Sequence, residues 1–319
     1  MFVSSSTPPP SRLREQRGQV IVLVAVAMLS ILGMAGLVID VGVWYHQQRA
    51  EQATADAAAL AGAQALPDDP STAVELAVQY ANENGAGLTA SDVTISTDRV
   101  PDDTIAVHVD KPAPTFFTKL FGLDSIPINA RAAARSDTVG SADYVAPIAV
   151  SSQNPMLQCT PPPCPDPAEI DLLDLKQKGS SDAAGNFSLL DLRIGANGAV
   201  GDSMLADWMQ NGYDQDMPLG IYTGVPGAKF NGSLFDAALQ ARVGSEVLFP
   251  VYNPPIKQSG SNAQFNIIGW VGFKISSWSG QGNSGKVFGT FTRYIAQGIQ
   301  ASTPGSQPDF GARAIQLVQ

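Results

Sequence analysis

Between Val20 and Ile39 the chain carries no charged side chain and a single hydroxyl, Ser30. At roughly 1.5 Å per helical residue, about 20 residues supply the ~30 Å of a bilayer's hydrocarbon core. The stretch therefore reads as one membrane-spanning helix, and the rest of the fold has to be arranged around it. The first charge beyond it is Asp40, and Trp44 and Tyr45 follow, ring types that settle at membrane interfaces. A cleaved signal peptide is one competing reading. Its apolar region usually runs about 7 to 15 residues, with a small-residue cleavage site directly after it. Here the run is longer, and the alternating Ala57, Ala59, Ala61 and Ala63 lie well past Asp40. A buried core helix is the other competitor, and such helices seldom extend this far without a charge.

Arg12, Arg14 and Arg17 precede the span, whereas only Arg49 lies close behind it. The positive-inside bias then places the short amino terminus in the cytoplasm and everything from about Asp40 outside. Helical character continues beyond the interface. Gln47 to Leu66 is alanine-rich and free of proline until Pro67, which with Asp68 and Asp69 ends it. Ala50, Ala53, Ala57, Leu60 and Gln64 recur at spacings of three and four. They form a thin seam that either admits another chain's backbone or packs on this protein's own outer domain.

These residues carry a resemblance. Arg17-Gly18-Gln19, then Ala35 to Gly42 with Asp40 near its end, then Tyr45, Arg49 and Gln52 to Ala63 with Asp56 inside it, resemble the amino-terminal segment of TadE/TadG-like proteins of Flp (tight-adherence) pilus assembly. Its motif positions here are Arg17, Gly18, Gln19, Asp40, Gly42, Tyr45 and Asp56. The resemblance implies a single-pass protein of the bacterial inner (cytoplasmic) membrane, with lipid and other pilus-assembly or pseudopilin subunits as partners through the helix. No acid stands among the five residues after Gly18, where processed pseudopilins carry a glutamate, so the likeness leans to the TadG side. The Asp-x-Ser-x-Ser metal loop of larger TadG-like proteins is missing, and no metal site is carried over.

A chain of 319 residues allows about two domains with real cores. A net charge of −10 argues against nucleic acid as a partner, since phosphate binding needs a basic field. The two cysteines, Cys159 and Cys164, bracket Thr160 and three prolines. Outside the membrane an intramolecular disulfide is favoured over free or intermolecular thiols, although three residues in polyproline II form would hold the Cα atoms about 15 Å apart, so pairing requires a turn.

Taken in order, residues 1–17 read as a disordered cytoplasmic tail, and residues 18–45 as the span and its outer interface. Residues 46–139 read as the membrane-proximal helix plus a small α+β domain. Within it, a helix over Ser71 to Asn84 starts at a Thr72/Glu75 capping box, Val93 to Ile95 and Ile105 to Val109 form a hairpin, Thr115 to Gly122 is a short apolar helix, and Ile126 to Ala134 is a third strand. Residues 140–319 read as a strand-rich extracytoplasmic domain. Strands are expected at Tyr144 to Val150, Gly185 to Leu192, Ile221 to Val225, Glu246 to Tyr252, Phe265 to Ile275 and Val287 to Ile295, the last two as a hairpin across Gly280 to Gly285. Pro250 is expected at an edge or bulge. Glu169 to Lys176 fits a strand or a helical turn. Helices are expected at Ser203 to Asn211, with Met204, Leu205, Trp208 and Met209 inward, and from Ser233 to Arg242, with Leu234, Ala238 and Leu239 inward. The fold class is α+β: an N-terminal transmembrane helix continuing into a membrane-proximal helix, a small α+β layer, and a strand-dominated mixed C-terminal domain.

Catalytic chemistry is thin. His46 and His108 stand alone, and phosphate loops, nucleophile elbows and zinc patterns are missing. We therefore expect no enzyme, no cofactor and no metal. Trp208, Tyr252, Trp270 and Trp278 read either as a partner-binding patch or as core, core being favoured. The function expected is that of a membrane-anchored accessory component of pilus assembly or secretion, working by helix and domain association. The alternatives are a membrane-tethered extracytoplasmic enzyme and a ligand-binding or adhesin protein.

Overall fold

The structure, a computed structural model, describes residues 19–164, 186–195, 199–226, 232–257, 263–279, 286–296 and 308–318. The amino-terminal tail, the 169–176 segment and the 280–285 turn lie outside the described residues. The fold is α+β, with a long apolar amino-terminal helix followed by shorter helices and mixed sheets. It divides into two compact units, one of the residues up to Ala53 with Val109–Ala130, the other of Thr54–His108 with Arg131 onward.

The first unit is built on α1, which as a whole runs from Gln19 to Ala63. From Val20 to Ala35 every side chain is exposed, so this part of the helix has no protein core around it. Further along, Gly36, Asp40 and Glu51 are buried and Val43, Trp44, Gln47 and Gln48 half-buried. Spacings of three and four place them on one face. The unit also contains residues 109–114 of β2 (Thr104–Pro114) and residues 125–130 of β3 (Ser125–Thr138), neighbours in a sheet. The connection between them is the stretch expected as an apolar helix. Instead it holds one 3₁₀ turn, Thr118–Phe121, closed by Gly122 at φ 85°. Ten residues separate the two strands, and with Thr115 and Asp124 already hydrogen-bonded to each other across the hairpin there is no room for more than a turn.

In the second unit the end of α1 packs on α2 (Pro70–Glu83) and on β2 through small groups. Ala55, Ala58, Ala59 and Ala63 are fully buried, as are Ala73, Ala77 and Ala81 of α2. A Cβ on Gly62 would stand 2.5 Å from Ile105 Cδ1 and 2.7 Å from the Ala73 carbonyl, a measure of how closely the backbones approach. The face that packs is therefore not the expected seam. Ala50, Ala53 and Gln64 are exposed, and Ala57 and Leu60 half-buried. The expected Thr72 cap is also corrected. Asp69 caps α2, accepting from the Thr72 amide at 3.0 Å and the Thr72 and Ser71 hydroxyls at 2.6 and 2.7 Å. Pro70 explains the earlier start, because a residue without an N–H suits the first helical position.

One sheet runs β1 (Val93–Ser96), β2, β3, β13 (Ala312–Val318), β12 (Tyr294–Ala296). β1 and β2 form the expected antiparallel hairpin, with Val93 opposite Val107 and Ile95 opposite Ile105. Its connection is organised by Asp103, which accepts from the amides of Asp98, Arg99 and Val100 at 2.8, 2.8 and 3.0 Å. β13 pairs with β3 antiparallel and with β12 parallel. A two-stranded pair, β4 (Ser141–Ala142) with β7 (Met217–Pro218), lies apart.

The larger sheet runs β5 (Val150–Ser151), β9 (Glu246–Lys257), β10 (Gln264–Ser279), β8 (Gly220–Pro226), β6 (Asn186–Asp191), with β11 (Lys286–Thr292) also on β10. The period-two face of β10 is borne out: Phe265, Ile267, Val271, Phe273 and Ile275 are all buried. Phe273 meets Phe249 and Phe291 at ring-centroid distances of 5.5 and 5.2 Å. Pro250 sits opposite Trp270, next to a register shift between Ile267 and Gly269, in keeping with a bulge. The strand after the hairpin turn stops short of Ile295. Arg293 interrupts it, and Tyr294–Ala296 leaves for the other sheet.

Tyr144 to Val150 is no continuous strand. It makes isolated bridges at Val145 and Ile148 before the two-residue β5, because Pro147 has no amide to donate and Tyr144 adopts φ 58°. Helices α3 (Asp202–Asn211) and α4 (Ser233–Arg242) pack together, burying Leu205, Ala206, Trp208 and Met209 from one and Phe235, Ala238 and Leu239 from the other. Met204 and Leu234, expected inside, point outward, each one position off the buried stripe. Trp208, Tyr252 and Trp270 belong to the core and Trp278 packs half-buried against it, which answers the question of an exposed aromatic patch.

Cys159 and Cys164 are disulfide-bonded with Cα atoms 5.4 Å apart, the turn between them containing cis bonds at Thr160-Pro161 and Pro162-Pro163. Gly311, at φ 93°, lies directly under this loop. A Cβ there would meet Pro163 Cδ at 2.4 Å.

Candidate functional site

The residue around which the first unit converges is Asp40. It is fully buried although it stands on a helix otherwise open on that level. A carboxylate so placed needs donors, and the β2–β3 turn supplies them. Oδ1 accepts from the Phe116 amide at 2.9 Å, and Oδ2 from the amides of Phe117 and Thr118 at 3.0 and 2.7 Å and from the Thr118 hydroxyl at 2.9 Å. Three successive amides directed at one acid form an anion nest, the backbone arrangement that stabilises negative charge without a cation.

One helical turn below, Gly36 makes the approach possible. A Cβ there would lie 2.5 Å from Cγ of Phe117 and 2.8 Å from its Cβ, so a larger residue would push the ring and the nest away from the helix. Above Asp40, Gln48 donates to the Asn129 carbonyl at 2.9 Å. Buried Glu51 is held by Gln47 and by Lys111, whose Nζ is 3.3 Å from Oε1. A ladder of polar contacts thus ties one face of α1 to the β2–β3 hairpin, with the acid nearest the apolar run satisfied by three backbone amides and one hydroxyl.

The resemblance residues fall unequally in this picture. Arg17 and Gly18 lie outside the described residues, and Gln19 opens α1. Gly42 is open, with nothing within 4 Å of a Cβ. Tyr45 is exposed with the Arg49 guanidinium 5.0 Å from its ring centroid, a cation–π contact. Asp56 is half-buried. Of the described motif residues, Asp40 stands at the centre of the converging contacts above. Sequence reading missed Gly36, Glu51, Lys111 and the role of residues 115–123. A signal for the last was present: two phenylalanines, then Leu120, Phe121 and Leu123, crowded into the short link between two strands.

Other groupings are less suited to chemistry. A cleft of about 180 Å³ is lined by Pro67, Arg99, Val100, Pro101, Asp137, Thr138, Asp309 and Arg313. Its acids are committed: Asp137 pairs with Arg99 and Arg135, and Asp309 with Arg313. His108 lies half-buried in β2 and accepts at Nδ1 from Arg131 Nε at 3.0 Å. Among the described residues, no group of three or more His, Cys, Asp or Glu side chains is placed to hold a metal ion.

A helix from Val20 to Ala63 is long and apolar enough to cross a membrane. With that helix, its buried acid and the nest in view, the comparison with known families is informative. Residues 18–65 match the family model described as putative Flp pilus-assembly TadE/G-like. The match covers the apolar run, Gly36, Asp40 and Glu51, and stops before the sheets. No curated protein matches the chain, and no solved structure does. The TadE/G-like segment connects the chain with Flp/Tad pilus assembly, and the long apolar helix is consistent with a single-pass membrane anchor.

Proposed function

We propose that this chain is a single-span accessory component of Flp/Tad-type pilus assembly or secretion, of the TadG kind, seated in a bacterial inner membrane with its amino terminus inside and its sheets outside. It works by association rather than turnover. The observation that carries the reading is the Asp40 nest. Within the TadE/G-like segment, the carboxylate of the first charged residue after the apolar run is satisfied by amide and hydroxyl donors of the same chain, an arrangement suited to an acid at the edge of lipid, where an unsatisfied carboxylate is costly. The seam of exposed Ala50, Ala53 and Gln64 with half-buried Ala57 and Leu60 leaves part of a helix face on which another subunit's helix fits closely. Arg12, Arg14 and Arg17 before the span support the orientation.

The test is fractionation of the bacterium that makes the protein, followed by protease shaving from outside and mild-detergent purification of the full chain. The reading expects a membrane-bound product, loss of the sheets to external protease, and co-purification with pilus-assembly membrane components. A cytosolic product, or recovery alone with hydrolytic activity toward envelope material, overturns it.

A further inference from the structure

Among the described residues, the turn that caps Asp40 keeps an open outer surface. Leu120 and Phe121 are 87% and 80% exposed, and Phe116 and Leu123 are also open. Four large apolar groups on one tight turn form a patch that a water-facing loop rarely carries. Three observations point to its occupant. The patch is continuous with the apolar helix, because Phe117 of the same turn packs on Gly36, one turn of about 6 Å nearer the middle of the run than Asp40. Seven amides of the turn are also satisfied from within the unit. The amides of Phe116, Phe117 and Thr118 go to Asp40, those of Leu120, Gly122 and Leu123 to carbonyls of Phe117, Lys119 and Thr118, and that of Thr115 to Asp124. Internal satisfaction of this kind lowers the cost of bringing a non-helical turn to the membrane interface, because paired polar groups are cheaper to desolvate. Finally, the only cation of the turn, Lys119, is exposed and stands 3.7 Å from Asp124 at the strand end, with a stem long enough to reach headgroups.

We infer that residues 116–123 are a second membrane contact: a wedge inserted into the outer leaflet beside the span, with Leu120 and Phe121 among the acyl chains. The inference rests on the reading of α1 as a membrane span. The occupant is lipid; a protein partner covering the same patch is an outcome that the test separates.

Full-length protein carrying Leu120→Cys or Phe121→Cys, labelled with an environment-sensitive fluorophore, is reconstituted into phosphatidylcholine vesicles with and without lipids spin-labelled at shallow and deep acyl positions. Both side chains are largely exposed, so neither replacement disturbs packing. Leu29→Cys, within the span, and Glu83→Cys, on the exposed side of α2, serve as references. The inference expects blue-shifted emission and strong quenching by the shallow spin label at positions 120 and 121, deep quenching at 29 and none at 83. Quenching at 29 but not at 120 and 121 overturns the wedge and leaves the span standing, and blue-shifted but unquenched labels there assign the patch to protein. Absence of quenching at 29 overturns the span and the wedge together.

Discussion

Replacing Asp40 by alanine isolates the contribution of the nest. The substitution strands three amides and one hydroxyl that now converge on the carboxylate. A hydrogen bond to an ionised acceptor shifts an opening equilibrium by roughly ten- to a hundredfold. The hydroxyl and one end of the turn can rotate toward water, so two bonds are counted as fully lost. The turn should then open at least about a hundredfold more often. Asp40→Asn keeps one acceptor oxygen but presents an NH₂ to other donors, and should fall between alanine and wild type. Hydrogen exchange of the 115–123 peptide in membrane-reconstituted protein reads this directly, with the β1–β2 hairpin as internal reference. Unchanged exchange at 115–123 in Asp40→Ala, with the protein still membrane-bound, would refute the claim that the acid organises the turn.

Three further outcomes are expected. Gly36→Val should displace Phe117 at an overpacking cost of about 1–3 kcal/mol and speed exchange in the same turn, whereas Gly33→Val, at a position with nothing within 4 Å, should not. Burial pushes the Asp103 carboxyl upward, but the amides of Val100, Asp98 and Arg99 and the Thr104 hydroxyl outweigh it and hold the pKa below its ordinary value. A depressed carboxylate contributes stability above its unfolded pKa of about 3.9 and loses it as pH falls through the lower folded value. Thermal melts from pH 6 downward should therefore show a smaller acid-dependent loss in Asp103→Asn than in wild type, the variant being less stable at neutral pH. Cys159→Ser with Cys164→Ser opens a small ring, so melting under non-reducing conditions should report a loss of about 2 kcal/mol, and added reductant should abolish the difference.

Local rules were enough where local physics decides the outcome. The apolar run of α1, its alanine-rich continuation and the alternation of Phe265 to Ile275 each specify part of an element, and each is present. What the sequence did not disclose depends on partners distant along the chain. The Thr72/Glu75 capping box is valid chemistry, but Asp69 followed by Pro70 is a stronger start. Tyr144 to Val150 has strand composition, yet Pro147 and the left-handed Tyr144 break its ladder. The site itself was half legible. Asp40 stood out as the first charge after the apolar run, but its donors are mainly backbone amides some 76 to 78 positions away, and an amide carries no residue-type signature. The same applies to Gly36, whose importance lies in the ring set against it.

The ladder between β3 and β13 joins Ala133 to Val318 and Thr138 to Arg313. Synthesis releases the first partner of each pair long before the second. Until then the flank of β3 is an open row of unpaired peptide groups, inviting adhesion to neighbouring nascent chains. Maturation of the smaller sheet is thus deferred until β13 has emerged, and trimming only the segment after Phe310 should leave a product that accumulates poorly even with α1 and the larger sheet untouched.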